Sequence, residues 1–417
     1  MKYDIIFKNA NLYQGKGKLL CGMDMGIKDG IISSVSKTID EAEGNRVIDA
    51  TGCMISPGFV DSHMHIDLNY TFDYNLKIPS LIGGGKQFLS IFYDSYYKTR
   101  QEMFDDITRR SAKTIDNCII NGTTALKTNV TYLKPWKGIS LDSILYLKDK
   151  YKELCDVFIL TTFTHPEPDA VFENEVAPEW EKAAKDGKVD FIAAYPHKHP
   201  DGRQIIDSVF AKSKEYGLPI DMHCDESDVP VLDCFSYILD KTIETNMQGK
   251  VTLGHVTALA SHFLGDDEAA ELIKRAALAD VNITTLTSCN LYLMNMNRRG
   301  PTRVKELVNA GVNVAVASDD VREVLRPYGN CDLLEEALLT AKVHQMGSSK
   351  ELRQVFDMIS YNAARNCLME NYGVDEGCKA DLVVLNAPTP EQAILDQCSK
   401  PYVLKAGSVV ARNGKLC

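Results

Sequence analysis

No stretch of the 417-residue sequence strings together the roughly 18 apolar residues of a membrane span, and the opening MKYDIIFKNANLY lacks the basic segment and apolar core of an export signal. The expectation is a cytoplasmic protein with no membrane partner. Positive charge is also scarce, since 46 lysines and arginines face 57 aspartates and glutamates and leave a formal charge of −11. Nucleic acids are met by clustered cations, so a nucleic-acid partner is not expected and a small neutral or weakly charged molecule is. Twelve cysteines are present without the paired spacing of a disulfide framework, which argues for free thiols in a reducing compartment. Cys224, between candidate functional residues, reads as a small buried neighbour of them. Tandem repeats, low-complexity tracts and long flexible linkers are absent too. What remains, at 45% hydrophobic and 25% charged residues, is the composition of a globular enzyme with room for a large barrel and a smaller appendage.

The stretch with most chemical content is Ser56–Asp67, SPGFVDSHMHID, which places His63 and His65 two residues apart at the end of an apolar run. In an extended strand such residues point to one side, so both imidazoles face one point, as metal ligands would. Two solvated histidines at a strand end would look the same. The choice depends on whether other strands supply further ligands.

Residues 1–56 read as short strands broken by turns: Tyr3–Lys8, Met23–Lys28, Ile31–Ser36 and Arg46–Asp49. Ala380–Leu385 and Val403–Ala411 are strand-like again, the second with a glycine at its bend. Both ends therefore form one small β-sandwich, from residues 1–56 and 371–417, around an inserted domain of residues 57–370. Within that insert, apolar strands alternate with amphipathic helices: the strand carrying His63, then Thr123–Val130, Val157–Phe163, Phe191–Tyr195, Ile220–His223, Val251–Leu253, Asn282–Leu286 and Val312–Ala317. Helical spacing runs through Ile206–Tyr216, Asp267–Ala279 and Thr302–Ala310. Eight such units predict an α/β fold, a (β/α)8 TIM barrel whose chemistry sits at the C-terminal strand ends. The connection from Leu68 to about Arg100, with Gly83-Gly84-Gly85, reads as a lid or as an extra surface hairpin or helix.

Candidate residues fall at those strand ends. DMHCDE (Asp221–Glu226) closes strand five with His223, a third nitrogen ligand, and Glu226, free to act as acid or base. VTLGHV closes strand six with His255, and ASDD closes strand eight with Asp319 and Asp320. Three histidines and a carboxylate from different strands can surround one divalent ion and leave a position for water.

These motifs, with GHVTAL, the stretch NRRGPTRVKELVNAGVNVAVASDDV and the terminal GCKADLVVLNA, resemble the amidohydrolase superfamily, and within it bacterial cytosine deaminase and its relatives. The resemblance implies that His63, His65, His223 and Asp319 bind one divalent metal ion, zinc or iron. It implies that His255 orients or deprotonates the reacting water, and that Glu226 protonates a ring nitrogen and shuttles the proton onward. Asp320 would hold the leaving amino group or the ring. Strand four offers no lysine that could be carboxylated to bridge two metals, so one is expected. Lys127 matches a basic family position, with an inward or a surface role.

Departures concern the substrate. His165, in TFTHPE, takes the place of a glutamine that reads the pyrimidine amide edge in cytosine-deaminating relatives. Leu325 lies near a tryptophan position, with Arg322 and Arg326 beside it as candidates to pair with a substrate carboxylate or carbonyl, or as structural residues. Asn129 replaces a histidine. Tyr195-Pro196-His197 keeps the Pro-His pair and suggests a backbone role for His197, while His199, His262 and His344 read as surface or helix residues. Trp136 and Phe163 read as core packing before ring stacking. The expected activity is hydrolytic deamination of a cytosine-like aminated heterocycle. Its rival is hydrolysis of a cyclic amide or an N-alkylamine on the same scaffold, and a binding protein that merely retains the barrel is the remaining reading. A homo-oligomer is compatible with all three.

Overall fold

The computed structural model of the protein describes residues 2–71, 99–134, 136–165, 169–227, 231–293, 300–323 and 325–417. The connection from Leu68 to about Arg100, read as a lid or as an extra surface hairpin or helix, falls almost wholly outside them. The chain opens with β1 (Tyr3–Gly15) and β2 (Lys18–Lys28), and then turns through Asp29-Gly30 into β3 (Ile31–Ser36). Both turn residues have positive φ, 49° and 80°, as a two-residue hairpin turn of the primed type requires. β4 (Gly44–Asp49) and β5 (Met54–Pro57) run parallel to β1.

One residue later the barrel begins. Its strands are β6 (Phe59–Met64), β7 (Thr123–Asn129), β8 (Asp156–Thr162), β9 (Phe191–Ala194), β10 (Ile220–Cys224), β11 (Val251–His255), β12 (Asn282–Thr285) and β13 (Asn313–Val316), each parallel to the next. Every residue of β6, β10, β11 and β13 is buried, polar ones such as Asp61, Asp221 and His223 included. Helices on the outside start and stop where local chemistry dictates. Arg100–Ile120 opens on a Thr99/Glu102 capping box, while Gly202–Tyr216 opens on Asp201 and ends at Gly217 in the left-handed conformation.

The ring closes next to the candidate ligands. Met64 bridges Asp319 in parallel, the Asp319 N–H donates to the His63 carbonyl at 2.9 Å, and the Ser318 N–H donates to Asp61 Oδ1 at 3.0 Å. Lys127 turns inward but serves the barrel: its Nζ pairs with Asp221 Oδ2 at 2.5 Å and donates to the Asn366 carbonyl at 2.9 Å. Trp136 and Phe163 are core residues, as is Cys224.

After the barrel, β14 (Leu382–Leu385) pairs antiparallel with β5, and β15 (Tyr402–Lys405), β16 (Ser408–Arg412) and β17 (Lys415–Leu416) extend the same sheet. The region expected as one bent strand is thus a hairpin, turning at Ala406-Gly407. Phe7, Leu12, Met25, Ile55, Leu382 and Leu404 form the shared core of this nine-stranded sheet, so both chain ends make one domain.

Of the two readings of His344, surface or helix residue, the structure gives the second. It caps the helix Leu333–Val343 close to Thr287, and burial pushes its pKa down to about 4. Below about 6.5 the unfolded chain takes up a proton there that the folded chain refuses until about 4. Stability should therefore fall as pH drops through that window, with this group contributing about 3 kcal/mol. Urea unfolding of the protein and of His344→Gln at pH 7 and pH 4.5 checks this. The pH-dependent loss should be smaller in the variant, and equal losses would contradict it.

Candidate active site

Four side chains converge at the C-terminal mouth of the barrel. His63 sits near the end of β6, His65 just beyond it, His223 on β10, and Asp319 three residues past β13. His223 Nε2 lies 3.2 Å from Nε2 of both His63 and His65, and Asp319 Oδ1 lies 3.7 Å and 3.6 Å from the same two nitrogens. A cation about 2.0–2.1 Å from four tetrahedral donors needs donor separations near 3.4 Å, so the set fits one divalent ion. The chemistry of the donors agrees. Burial and the neighbouring imidazoles hold His63 and His223 well below the usual histidine range, and burial lowers His65 as well, so all three offer neutral nitrogens. One ring nitrogen of His223 cannot donate to two others, whereas a shared cation uses all three lone pairs.

Backbone strain marks the same place. His255 and Asp319 have φ of 67° and 62°, and the β-branched Val256 has 47°, conformations that side chains rarely adopt. These turns let the chain leave the strand while His255 and Asp319 remain buried at its end. Asn290 Nδ2 donates to His255 Nδ1 at 3.0 Å, and Glu226 Oε1 is 3.8 Å from that nitrogen. Asp320 is buried beside Cys289, whose thiol donates to Oδ2 at 4.0 Å. Burial, followed by Glu323 and Asp319, pushes the Asp320 carboxyl well up, which favours its protonated form.

These groups line a cavity of about 160 Å³. Its described walls add the apolar Leu68, Leu293 and Leu325 and the polar Thr131, Tyr195 and Lys198. Of the residues expected from sequence, the structure brings His65, His223, His255, Glu226, Asp319 and Asp320 to this wall, with His63 against His223 behind it.

The other three expected substrate contacts are not among the described lining residues. His165 packs between the rings of Tyr132 and Phe172, at 5.4 Å and 5.6 Å. Arg322 lies 5.8 Å over the Tyr70 ring. Arg326 is buried behind strand eight, where its guanidinium donates to the carbonyls of Ser318 and Asp320 and pairs with Glu336. It therefore braces the backbone on either side of Asp319. Lys198, in the turn Pro196–Lys198, and Cys289 and Asn290, on the short helix Thr287–Leu293, carry no motif in the sequence that would mark them. Only Lys198 left a trace, one residue past the Pro-His pair.

His197 has the backbone role suggested for it. Its Nδ1 donates to the His223 carbonyl at 3.2 Å, and burial pushes its pKa down to about 4, so the ring is neutral with its proton on that bond. His197→Ala should weaken metal retention about tenfold without unfolding the protein. Metal content after dialysis against graded chelator checks this, and unchanged retention would remove the role.

Residues 134–411 match the Amidohydrolase family, and the chain belongs to it: a hydrolase of carbon–nitrogen bonds built on a TIM barrel with a β-sandwich domain. Among its relatives is N-isopropylammelide isopropyl amidohydrolase of Pseudomonas sp. (strain ADP), 27% identical over 420 residues, which span 99% of this chain and 98% of that protein. The crystal structure of N-isopropylammelide isopropylaminohydrolase from Burkholderia multivorans ATCC 17616 shares the fold over the full length of both chains, with a TM-score of 0.85 at 22% identity. The 5-methylcytosine deaminase of Klebsiella pneumoniae, liganded with phosphonocytosine, shares it over 98% of each chain, with a TM-score of 0.81 at 24% identity.

Proposed function

We propose that this protein hydrolyses the bond between a ring carbon and an exocyclic amine on a nitrogen heterocycle, releasing ammonia or a small alkylamine. The observation that carries the reading is the four-donor cluster of His63, His65, His223 and Asp319, with Glu226 and His255 on the same small cavity. Residues 57–370 would supply the barrel, and residues 1–56 with 371–417 the β-sandwich. One divalent ion, zinc or iron, held by the four donors would supply Lewis acidity and a hydroxide nucleophile at neutral pH, since such ions can lower the pKa of water from 15.7 to about 7.

The protein's own residues do the rest. Asp319 accepts the proton that the attacking water gives up, and His255, fixed by Asn290, holds that water against the ring carbon. Glu226 gives its proton to the adjacent ring nitrogen, which makes the carbon electrophilic; the proton held by Asp319 then goes to the departing amine, and the hydroxyl proton of the tetrahedral carbon returns to Glu226 as the new carbonyl forms. Asp320, with its carboxyl pushed up, donates to the ring or to the leaving group.

Cytosine-like deamination is one form of this reaction. Displacement of an alkylamine is the second, and the near full-length similarity to a protein named as an isopropylammelide amidohydrolase supports it. Purified, metal-analysed enzyme should be assayed for ammonia and alkylamine release on cytosine, isocytosine, amino- and alkylaminotriazines and pterins. Ammonia from a pyrimidine or pterin would favour deamination, and alkylamine from a triazine the displacement. No amine from any of them, with ring opening of a cyclic amide instead, would overturn the proposal. Full metal loading with no turnover at all would favour the binding-protein reading.

A further inference from the structure

Lys198 is the one lysine or arginine among the described residues that line the cavity. It ends the short turn Pro196–Lys198, which His197 ties to the His223 carbonyl, so its backbone is held against the ligand cluster. The ammonium lies 3.5 Å from Glu226 Oε2 and 5.2 Å from the Tyr195 ring centre. Its side chain is 36% exposed, on a cavity whose other described lining residues include the carboxyl groups of Glu226, Asp319 and Asp320, the imidazoles of His65, His223 and His255, and leucines.

The spacing of this pair has a chemical counterpart. By amide bond lengths, a ring lactam or its anion presents a nitrogen and an oxygen about 2.2 Å apart on one edge. A carboxyl and an ammonium 3.5 Å apart can meet that edge with two converging hydrogen bonds, Glu226 at the nitrogen and Lys198 at the oxygen. A ring filling the cavity also strips water from the inner side of the ammonium, and only an acceptor on the ring replaces it. His165, which the sequence suggested as the reader of such an edge, is packed between Tyr132 and Phe172 instead.

The geometry points to Lys198 as the specificity residue of this enzyme: with Glu226 it reads the N–C–O edge of the substrate ring and selects heterocycles carrying an anionic oxygen. This rests on the reaction proposed above. The anionic oxygen is a ring oxyanion, as on acidic oxo-triazines, or a ring carboxylate. The two sources share their chemistry, and only the first joins nitrogen and oxygen through a single carbon, the short N–C–O edge; a neighbouring ring carboxylate sets them one bond further apart.

The test compares the enzyme with Lys198→Met and Lys198→Arg on matched aminoheterocycles bearing a ring oxo group, a carboxylate or neither, with metal content measured for each protein. Calorimetric binding of cyanuric acid, an amine-free acidic oxo-triazine, runs in parallel. Lys198→Met should lose about 10- to 100-fold in kcat/KM on the oxo ring, mainly through KM, and bind cyanuric acid correspondingly more weakly. The unsubstituted ring should lose clearly less than the oxo ring, the loss common to both being what the ammonium does through Glu226, and Lys198→Arg should recover part of the difference. A selective loss confined to the carboxylate ring would overturn edge reading, and equal losses on all rings would show that Lys198 acts only through Glu226. Failure of all turnover while cyanuric acid binding still depends on Lys198 would remove the proposed reaction and leave the subsite standing. No dependence of either readout on Lys198 would overturn the inference.

Discussion

Replacing His63 with alanine is expected to abolish binding of the divalent ion proposed for the site and to cut turnover by about a thousandfold or more. His63 Nε2 is 3.2 Å from His223 Nε2 and 3.7 Å from Asp319 Oδ1, so its loss opens one corner of the donor set and leaves a buried gap on the barrel's inner wall. The imidazole gives way to a methyl group, and His255, the donor grouped with His63 and His223, is already committed to Asn290 through its Nδ1. Elemental analysis of the purified variant beside the assay checks both halves of the expectation. Full metal content with lost activity would move His63 from ligand to another role. Retained activity without metal would remove the proposed mechanism entirely.

Glu226→Gln should behave in the opposite way, with about one ion still bound per chain and turnover down by about 10²- to 10⁴-fold. Glutamine keeps the shape and can still accept a hydrogen bond, but it cannot deliver a proton to the ring nitrogen. Glu226 lies 3.8 Å from His255 Nδ1 and is not among the side chains clustered at donor distance, so the ion should not register the change. Loss of metal together with activity would make Glu226 a ligand. Undiminished turnover would end its role as the acid. Comparing the two variants separates a holder of the ion from a mover of protons, a distinction that activity measurements alone do not make.

The barrel was readable because its strands are buried on both faces. β13, read as Val312–Ala317 and found as Asn313–Val316, is a short apolar run bounded by turns, whereas β10, read as Ile220–His223 and found as Ile220–Cys224, mixes buried Asp221 and His223 with its apolar residues. The cluster was readable for a related reason. Side chains on the inward side of a strand's C-terminal end in a parallel barrel face the shared mouth, so His63, His65 and His223 could meet there once the strands were placed, while alternate residues such as Met64 and Cys224 turn into the apolar core.

Substrate-facing residues were not readable to the same degree, because a connection's side chains are aimed by tertiary packing and not by a period. Arg326 looked like an anion reader, yet burial and the carboxylate of Glu336, itself pushed up to about 7, turned it into a brace. His165 was drawn into an aromatic cluster. Lys198, which carried no motif of its own, took the position facing the cavity.

The way the two chain ends share a sheet also has a bearing on how the protein is made. β5 leaves the ribosome with one edge matched to β1 and the other waiting for β14, which is translated more than 300 residues later. Throughout that interval the barrel must fold between two halves of an unfinished domain, while β5 shows an open edge of the kind that invites mispairing. A nascent chain stalled before Leu382 should thus be a preferred client of ribosome-associated chaperones. Release of that client would coincide with the emergence of the final strands.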